Sequence, residues 1–157
     1  MANRVFQIVD WAGATFDGND LTTSVNTIQP GLLVVKNVGA DTVSLAAASG
    51  SAPLGFAYGN RDMVYKPTSN TFATGEPLVV VNGHGMALVS SDYFASGSIP
   101  ADAAGPRTLF AAANGLMDWT GTNKIGRLVS RKAVTDTTSG NTGASNTVAL
   151  IEFNIVP

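Results

Sequence analysis

The chain contains Pro53-Leu54-Gly55-Phe56-Ala57 followed by Glu76-Pro77-Leu78-Val79-Val80-Val81, and later Lys124-Ile125-Gly126-Arg127-Leu128 followed by Thr147-Val148-Ala149-Leu150-Ile151-Glu152-Phe153. Each pair reads as a short glycine-containing strand and then a longer apolar strand. The interval from the glycine to the long strand is 24 residues in both halves, from Gly55 to Val79 and from Gly126 to Leu150. The equal intervals predict that the two halves share one strand pattern, with the two glycines at equivalent, closely packed positions.

An earlier strand precedes each pair, at residues 32–35 in the first half and 108–111 in the second. Here the intervals differ, because 23 residues separate Leu32 from Gly55 whereas 17 separate Leu109 from Gly126. The difference predicts extra chain in the first half, between residues 39 and 53.

Turn residues separate these short strands, as in Pro30-Gly31 and Asn114-Gly115, and no segment keeps a helical period for three turns. This pattern predicts a mainly β fold, a compact antiparallel β-barrel or β-sandwich with little helix. Asn82-Gly83 is interpreted as the turn of a hairpin into residues 86–89. The polar stretch 135–146 is interpreted as a mobile, exposed loop.

The domain organisation follows from the same pattern. We expect an N-terminal strand or extended arm with a loop over residues 1–27, and then a single β domain over residues 28–157. That domain consists of the two related halves, 28–92 and 107–157, with a linker near residues 93–107.

Composition limits the function classes. Of the 157 residues, 13% are charged, about half the usual share, and the net charge is −2. Because nucleic-acid binding needs clustered cations, and only Arg127, Arg131 and Lys132 lie close together, no nucleic-acid partner is expected. The chain has no cysteine, no apolar run long enough to span a bilayer and no signal-peptide pattern, so we expect a soluble protein made in a cytoplasm.

No arrangement of residues points to catalysis. The single histidine, His84, lies between two glycines and is interpreted as a turn residue. Residues 17–20 resemble part of a calcium loop but lack its glutamate, and Glu76 and Glu152 are interpreted as structural. We therefore expect no catalytic residues, no cofactor and no metal.

The aromatic residues are interpreted as anchors of the core or of an interface, with a sugar-stacking platform of Trp11, Phe16, Tyr58, Tyr65 and Trp119 as the alternative. The predicted interface residues are Arg4, Phe6, Ile8, Trp11, Tyr65, Phe72 and Trp119.

A larger set of turn-and-strand motifs resembles the small head decoration, or cement, proteins of tailed bacteriophages. These motifs are Pro30-Gly31-Leu32-Leu33-Val34, Pro53-Leu54-Gly55-Phe56-Ala57, Thr74-Gly75-Glu76-Pro77-Leu78-Val79-Val80-Val81, Thr108-Leu109-Phe110-Ala111-Ala112-Ala113-Asn114-Gly115-Leu116, Lys124-Ile125-Gly126-Arg127-Leu128 and Thr147-Val148-Ala149-Leu150-Ile151. The resemblance covers residues 28–153 and departs from the family up to Thr27 and in the loop 61–71.

The resemblance implies a β-barrel or β-tulip fold, a homotrimer on the capsid exterior and no enzymatic activity. Its partners would be the major capsid protein and further copies of this chain, and its place would be the virion. Residues 4–11 would serve as an arm that adds a strand to the shell protein. The alternatives are a phage-surface or tail-associated carbohydrate-binding module and a small hydrolase, the latter disfavoured because no nucleophile–base pair is discernible.

Overall fold

The computed structural model describes residues 5–17, 21–59, 71–97, 99, 107–136 and 144–156. Within these ranges the only helical elements are two 3-10 turns, Ser91–Tyr93 and Ala113–Gly115. The strands are β1 (Phe6–Asp17), β2 (Thr22–Thr23), β3 (Leu33–Lys36), β4 (Thr42–Leu45), β5 (Gly55–Gly59), β6 (Val79–Ser90), β7 (Arg107–Ala111), β8 (Met117–Asp118), β9 (Lys124–Asp136) and β10 (Ala144–Ile155). The prediction of a mainly β fold is confirmed.

All ten strands belong to one hydrogen-bonded sheet in the order β2-β4-β3-β5-β6-β10-β9-β7-β8, with β1 attached to β6. Every pairing is antiparallel except that of β2 with β4. The sheet does not close into a regular barrel. The two halves share one core cluster instead, which takes Leu33 and Phe56 from the first half and Leu109 and Ile151 from the second. This arrangement is compatible with a β-sandwich.

The two halves repeat both strand order and register. The first half is ordered β4-β3-β5-β6 and the second β8-β7-β9-β10, so the sheet reads as one half followed by the other in reverse. Phe56 lies opposite Val81, and Arg127 lies opposite Glu152, at the same sequence separation. The interval repeats in the sequence because the two halves pair these strands in the same register.

Gly55 and Gly126 occupy equivalent positions in this register. A Cβ atom on Gly55 would overlap the carbonyl oxygen of Val81, and a Cβ atom on Gly126 would overlap that of Glu152. Each glycine thus allows a neighbouring strand to approach its backbone closely, as the sequence predicted.

The unequal first interval also has a structural counterpart. In the first half, β4 pairs with β3 as a four-residue strand, whereas its counterpart β8 pairs with β7 over two residues. The longer strand and its loops account for the additional chain between β3 and β5.

The predicted hairpin at Asn82-Gly83 is wrong, because β6 runs unbroken from Val79 to Ser90. β1 lines one edge of β6 from Val80 to Val89. A strand has only two edges, so β5 and β10 must share the other, β5 opposite residues 79–81 and β10 opposite residues 83–90. Asn82 lies at the junction, where its buried amide Nδ2 donates to the Leu54 carbonyl oxygen at 3.1 Å.

The first half buries both of its faces. Leu33 and Phe56 point into the larger core between the halves, while Val34 and Ala57 point into a smaller core on the opposite side. Strands with two buried faces read as continuous apolar runs, which is the pattern of the first half.

The N-terminal segment is extended, as predicted, but it lies along β6 rather than projecting from the domain. Phe6 and Ile8 on β1 are buried in the larger core. The predicted loop 135–146 is wrong at both ends, because residues 135–136 and 144–146 belong to the β9–β10 ladder, which continues to the pair Asp136 and Ala144. Residues 137–143 lie outside the described residues. Most of the predicted linker, residues 98 and 100–106, lies outside the described residues.

We expect Gly126→Ala to lower the free energy of unfolding by about 2–3 kcal/mol, because the new methyl group would overlap the Glu152 carbonyl oxygen. Urea denaturation measures the change. The matched control is Ser130→Ala at an exposed position of the same strand, expected within about 0.5 kcal/mol of the unmodified protein. Equal stability of the two variants would contradict the close-packing explanation.

Candidate functional site

Three of the predicted interface residues are core residues. Phe6 packs on Phe56 and Tyr93 with ring centroids 5.1 and 5.9 Å apart, and Ile8 belongs to the same cluster. Phe72 is fully buried in the smaller core. These side chains leave almost no surface for a partner. Arg4 and Tyr65, two further predicted interface residues, lie outside the described residues.

The two tryptophans remain accessible to different degrees and have different ring partners. Trp11 is 41% exposed and meets Tyr58 edge-on at 5.6 Å. Trp119 is half-buried and stacks on Phe94 at 5.0 Å, which covers one face of its indole. The structure thus brings Trp11 and Tyr58 of the predicted sugar-stacking platform together, while the side chains of Phe16 and Tyr65 lie outside what the structure describes. The platform as a whole stays a prediction.

The first candidate surface is the outer edge of β1. β6 is the one strand of the described part of the chain that pairs with β1. Val9 on this strand is 44% exposed, and Trp11 lies two residues further on. The register shifts between Ile8 and Asp10, so Val9 lies at an irregularity in the ladder. The edge therefore presents apolar side chains beside main-chain groups.

The second candidate surface is a pocket of about 300 Å³ that composition alone did not reveal. Arg107 and Thr108 of β7, Lys124, Gly126 and Arg127 of β9, and Glu152 and Asn154 of β10 line it. In the sequence, Arg127 stands out only as a neighbour of Arg131 and Lys132. The cations that the fold brings together come instead from β7 and from the start of β9.

A bulge in β9 explains how Lys124 and Arg127 reach one pocket. Residues three apart in a regular strand point to opposite faces. Here Arg127 pairs with Thr108 and Lys124 pairs with Phe110, which are two residues apart on β7, so the register shifts by one residue between them. The additional residue turns both cations to the same face. A glycine in a strand was the available signal, because it favours a bulge.

Glu152 connects two cationic side chains at this site. Arg127 donates from Nη2 and Nε to Glu152 Oε2 at 2.8 and 3.2 Å. His84 Nε2 lies 3.1 Å from Glu152 Oε1 and donates to it, since a carboxylate only accepts. These hydrogen bonds, that of Arg127 foremost and then that of His84, lower the pKa of Glu152 below its ordinary value.

The remaining cations of the pocket are uncompensated. Within the described part of the chain, neither the Arg107 nor the Lys124 side chain has a hydrogen bond or an ion pair, and both residues are exposed. Three cationic residues and one carboxylate thus line the pocket, in a chain whose net charge is −2. This arrangement can hold an anionic group.

The equivalent positions in the first half are apolar. Thr108, Arg127 and Glu152 lie in register across three strands of the second half. Their counterparts in the first half are Leu33, Phe56 and Val81, which are fully buried. The face that forms core in the first half is therefore open and charged in the second.

The described residues offer neither a metal site nor a membrane-spanning helix. They contain no group of three His, Cys, Asp or Glu side chains placed to hold a metal ion. None of their helical elements has the length and hydropathy to cross a membrane.

Comparisons with known proteins give no family. No protein-family model matches this chain, and no curated protein matches it significantly.

The lowered pKa of Glu152 predicts an acid-dependent stability. A carboxyl group whose pKa is lower in the folded than in the unfolded chain stabilises the fold above its ordinary value of 4.5, and this contribution is lost as the pH falls through the lowered value. We expect Glu152→Gln to reduce the urea midpoint at pH 7, and the difference from the unmodified protein to shrink below pH 4.5. Arg127→Gln should likewise reduce the urea midpoint at pH 7, with a difference from the unmodified protein that shrinks below pH 4.5. A difference that stays constant with pH would contradict the role given to the ion pair.

Proposed function

We propose that this protein is a structural virion protein that decorates the outside of a bacteriophage capsid and stabilises the shell. Its partners would be the major capsid protein and two further copies of itself, and it would be made in the host cytoplasm before it joins the virion. The observation that carries the proposal is the outer edge of β1, where Val9 and Trp11 are exposed beside main-chain groups.

An open strand edge is a template for another strand. Natural sheets usually protect such edges with charged side chains, proline or short strands. β1 has twelve residues, and its exposed side chains include the apolar Val9 and Trp11 beside Gln7 and Asp10. A partner strand added along this edge would therefore cover two apolar side chains and meet one carboxylate. A ligand that binds only the intact shell adds its binding free energy to the cost of opening that shell.

Composition and architecture support the same role. The chain is low in charged residues and rich in small polar ones, which lose little conformational entropy when a partner covers them. The two halves share one core, so they would act together as one block. A trimer of such blocks would gain from multivalent attachment, because each bound copy raises the effective concentration of the others. The proposed role needs no catalytic activity.

The exposure of Trp11 favours a second candidate, a carbohydrate-binding module of a phage surface or tail. An accessible indole stacks on sugar rings, but the stacked partner of Trp119 leaves that second indole only one open face. The two candidates differ in the partner that Trp11 meets, so one set of variants tests both.

The decisive variant is Val9→Lys, matched by Val38→Lys at a position that is 97% exposed in the turn between β3 and β4. Deletion of residues 1–11 is unsuitable, because it removes Phe6 and Ile8 from the core. We expect Val9→Lys to weaken attachment to undecorated capsids by about 2 kcal/mol, roughly thirtyfold in affinity, since a buried edge would have to desolvate the ammonium group. Co-sedimentation with capsids measures the occupancy.

The control Val38→Lys should bind capsids as the unmodified protein does, and light scattering should give the mass of a trimer. Undiminished capsid occupancy of Val9→Lys would overturn the role of the β1 edge. Glycan binding by the free protein that Trp11→Ala abolishes, with no capsid binding, would establish the carbohydrate-binding alternative.

A further inference from the structure

We propose that the pocket formed by Arg107, Lys124 and Arg127 binds the carboxylate side chains of an acidic segment in a partner protein. The identification of that partner as the capsid shell subunit rests on the proposed function. The binding of carboxylates rests on the pocket alone, and it concerns a different surface from the edge of β1.

The charges determine which kind of ligand fits. The Arg127 side chain is already bound to Glu152, whereas the side chains of Arg107 and Lys124 have no ion pair or hydrogen bond within the described residues. Two cationic side chains without a partner favour an anionic ligand. The Arg107 guanidinium suits a planar carboxylate, and the Lys124 ammonium acts as a point charge. Glu152 remains ionised near neutral pH and repels a compact dianion more strongly than a single carboxylate.

The dimensions favour a peptide over a free ion. The pocket volume of about 300 Å³ is larger than one phosphate or sulfate ion requires. The Thr108 hydroxyl and the Asn154 amide also line the pocket. These neutral groups can bind the polar main chain of a segment whose carboxylates meet the cations.

The surroundings of the pocket suit a protein surface. Glu152 lies directly opposite Met86 on β6, and Leu150 lies opposite Leu88. Met86, Leu88 and Leu150 are half-buried and therefore lie partly open on the face that carries Glu152. A charged pocket beside partly exposed apolar side chains is typical of an interface with a polar rim.

The first experiment uses the whole protein and a capped tetraglutamate peptide, with capped tetraglutamine and inorganic phosphate as comparison ligands. The test variant is Arg107→Gln combined with Lys124→Gln. The control is Lys36→Glu, which changes the net charge by the same amount at an exposed ion pair with Asp41, away from the pocket. Calorimetric titration at low salt measures the dissociation constants.

We expect the unmodified protein and Lys36→Glu to bind tetraglutamate equally, and the double variant to bind it at least about tenfold more weakly. Binding should also weaken as salt is raised, since the cations are exposed. Equal affinity for tetraglutamine, tighter binding of phosphate than of the peptide, or self-association that the double variant abolishes would each overturn the proposal.

The second experiment separates this inference from the proposed function. Each protein is co-sedimented with undecorated capsids. Reduced attachment of the double variant supports the shell subunit as the partner, and unchanged attachment overturns that assignment while the proposed function stands. Failure of the unmodified protein to bind capsids, with peptide binding intact, overturns the proposed function and leaves the pocket as a carboxylate site.

Discussion

Strand β6 holds the structure together because its two edges are hydrogen-bonded to three strands. β1 takes one edge, while β5 and β10 divide the other at Asn82. At the point where β5 ends and β10 begins, the buried side-chain amide of Asn82 donates a hydrogen bond to the Leu54 carbonyl oxygen. Both halves of the sheet, and the core between them, therefore depend on a single central strand, and any change that shortens β6 would separate the halves.

The strand pattern of the sequence was sufficient for the fold class and for much of the register. Equal glycine-to-strand intervals predicted the equivalent positions of Gly55 and Gly126, which the structure confirms. The Asn82-Gly83 pair misled because local turn preference cannot show that a strand exchanges neighbours along one edge. Similarly, the aromatic character of Phe6 and Phe72 did not distinguish core from interface, since burial is a property of the tertiary packing.

The charged pocket was missed for a physical reason as well. Arg107, Lys124 and Glu152 are far apart in the sequence, and alternation along a regular strand places Lys124 and Arg127 on opposite faces. Only the bulge in β9 brings them together. This surface differs from its counterpart in the other half, because positions that are apolar and buried in the first half are polar and open in the second. Because the two halves share one strand pattern, that pattern does not require the charged residues at these positions. They are a feature of the second half alone.

The shared edge of β6 also has a consequence for biosynthesis. Residues 148–155 of β10 pair with residues 83–90 of β6, yet they leave the ribosome only after residues 91–147. At about 5–20 residues per second, this delay is on the order of several seconds. During that time Ala87 and Val89, which are fully buried in the finished molecule, lack the strand that completes their side of the sheet. The nascent chain therefore has a vulnerable interval that ends only when its last strand arrives, and chaperone capture during translation would act on this interval.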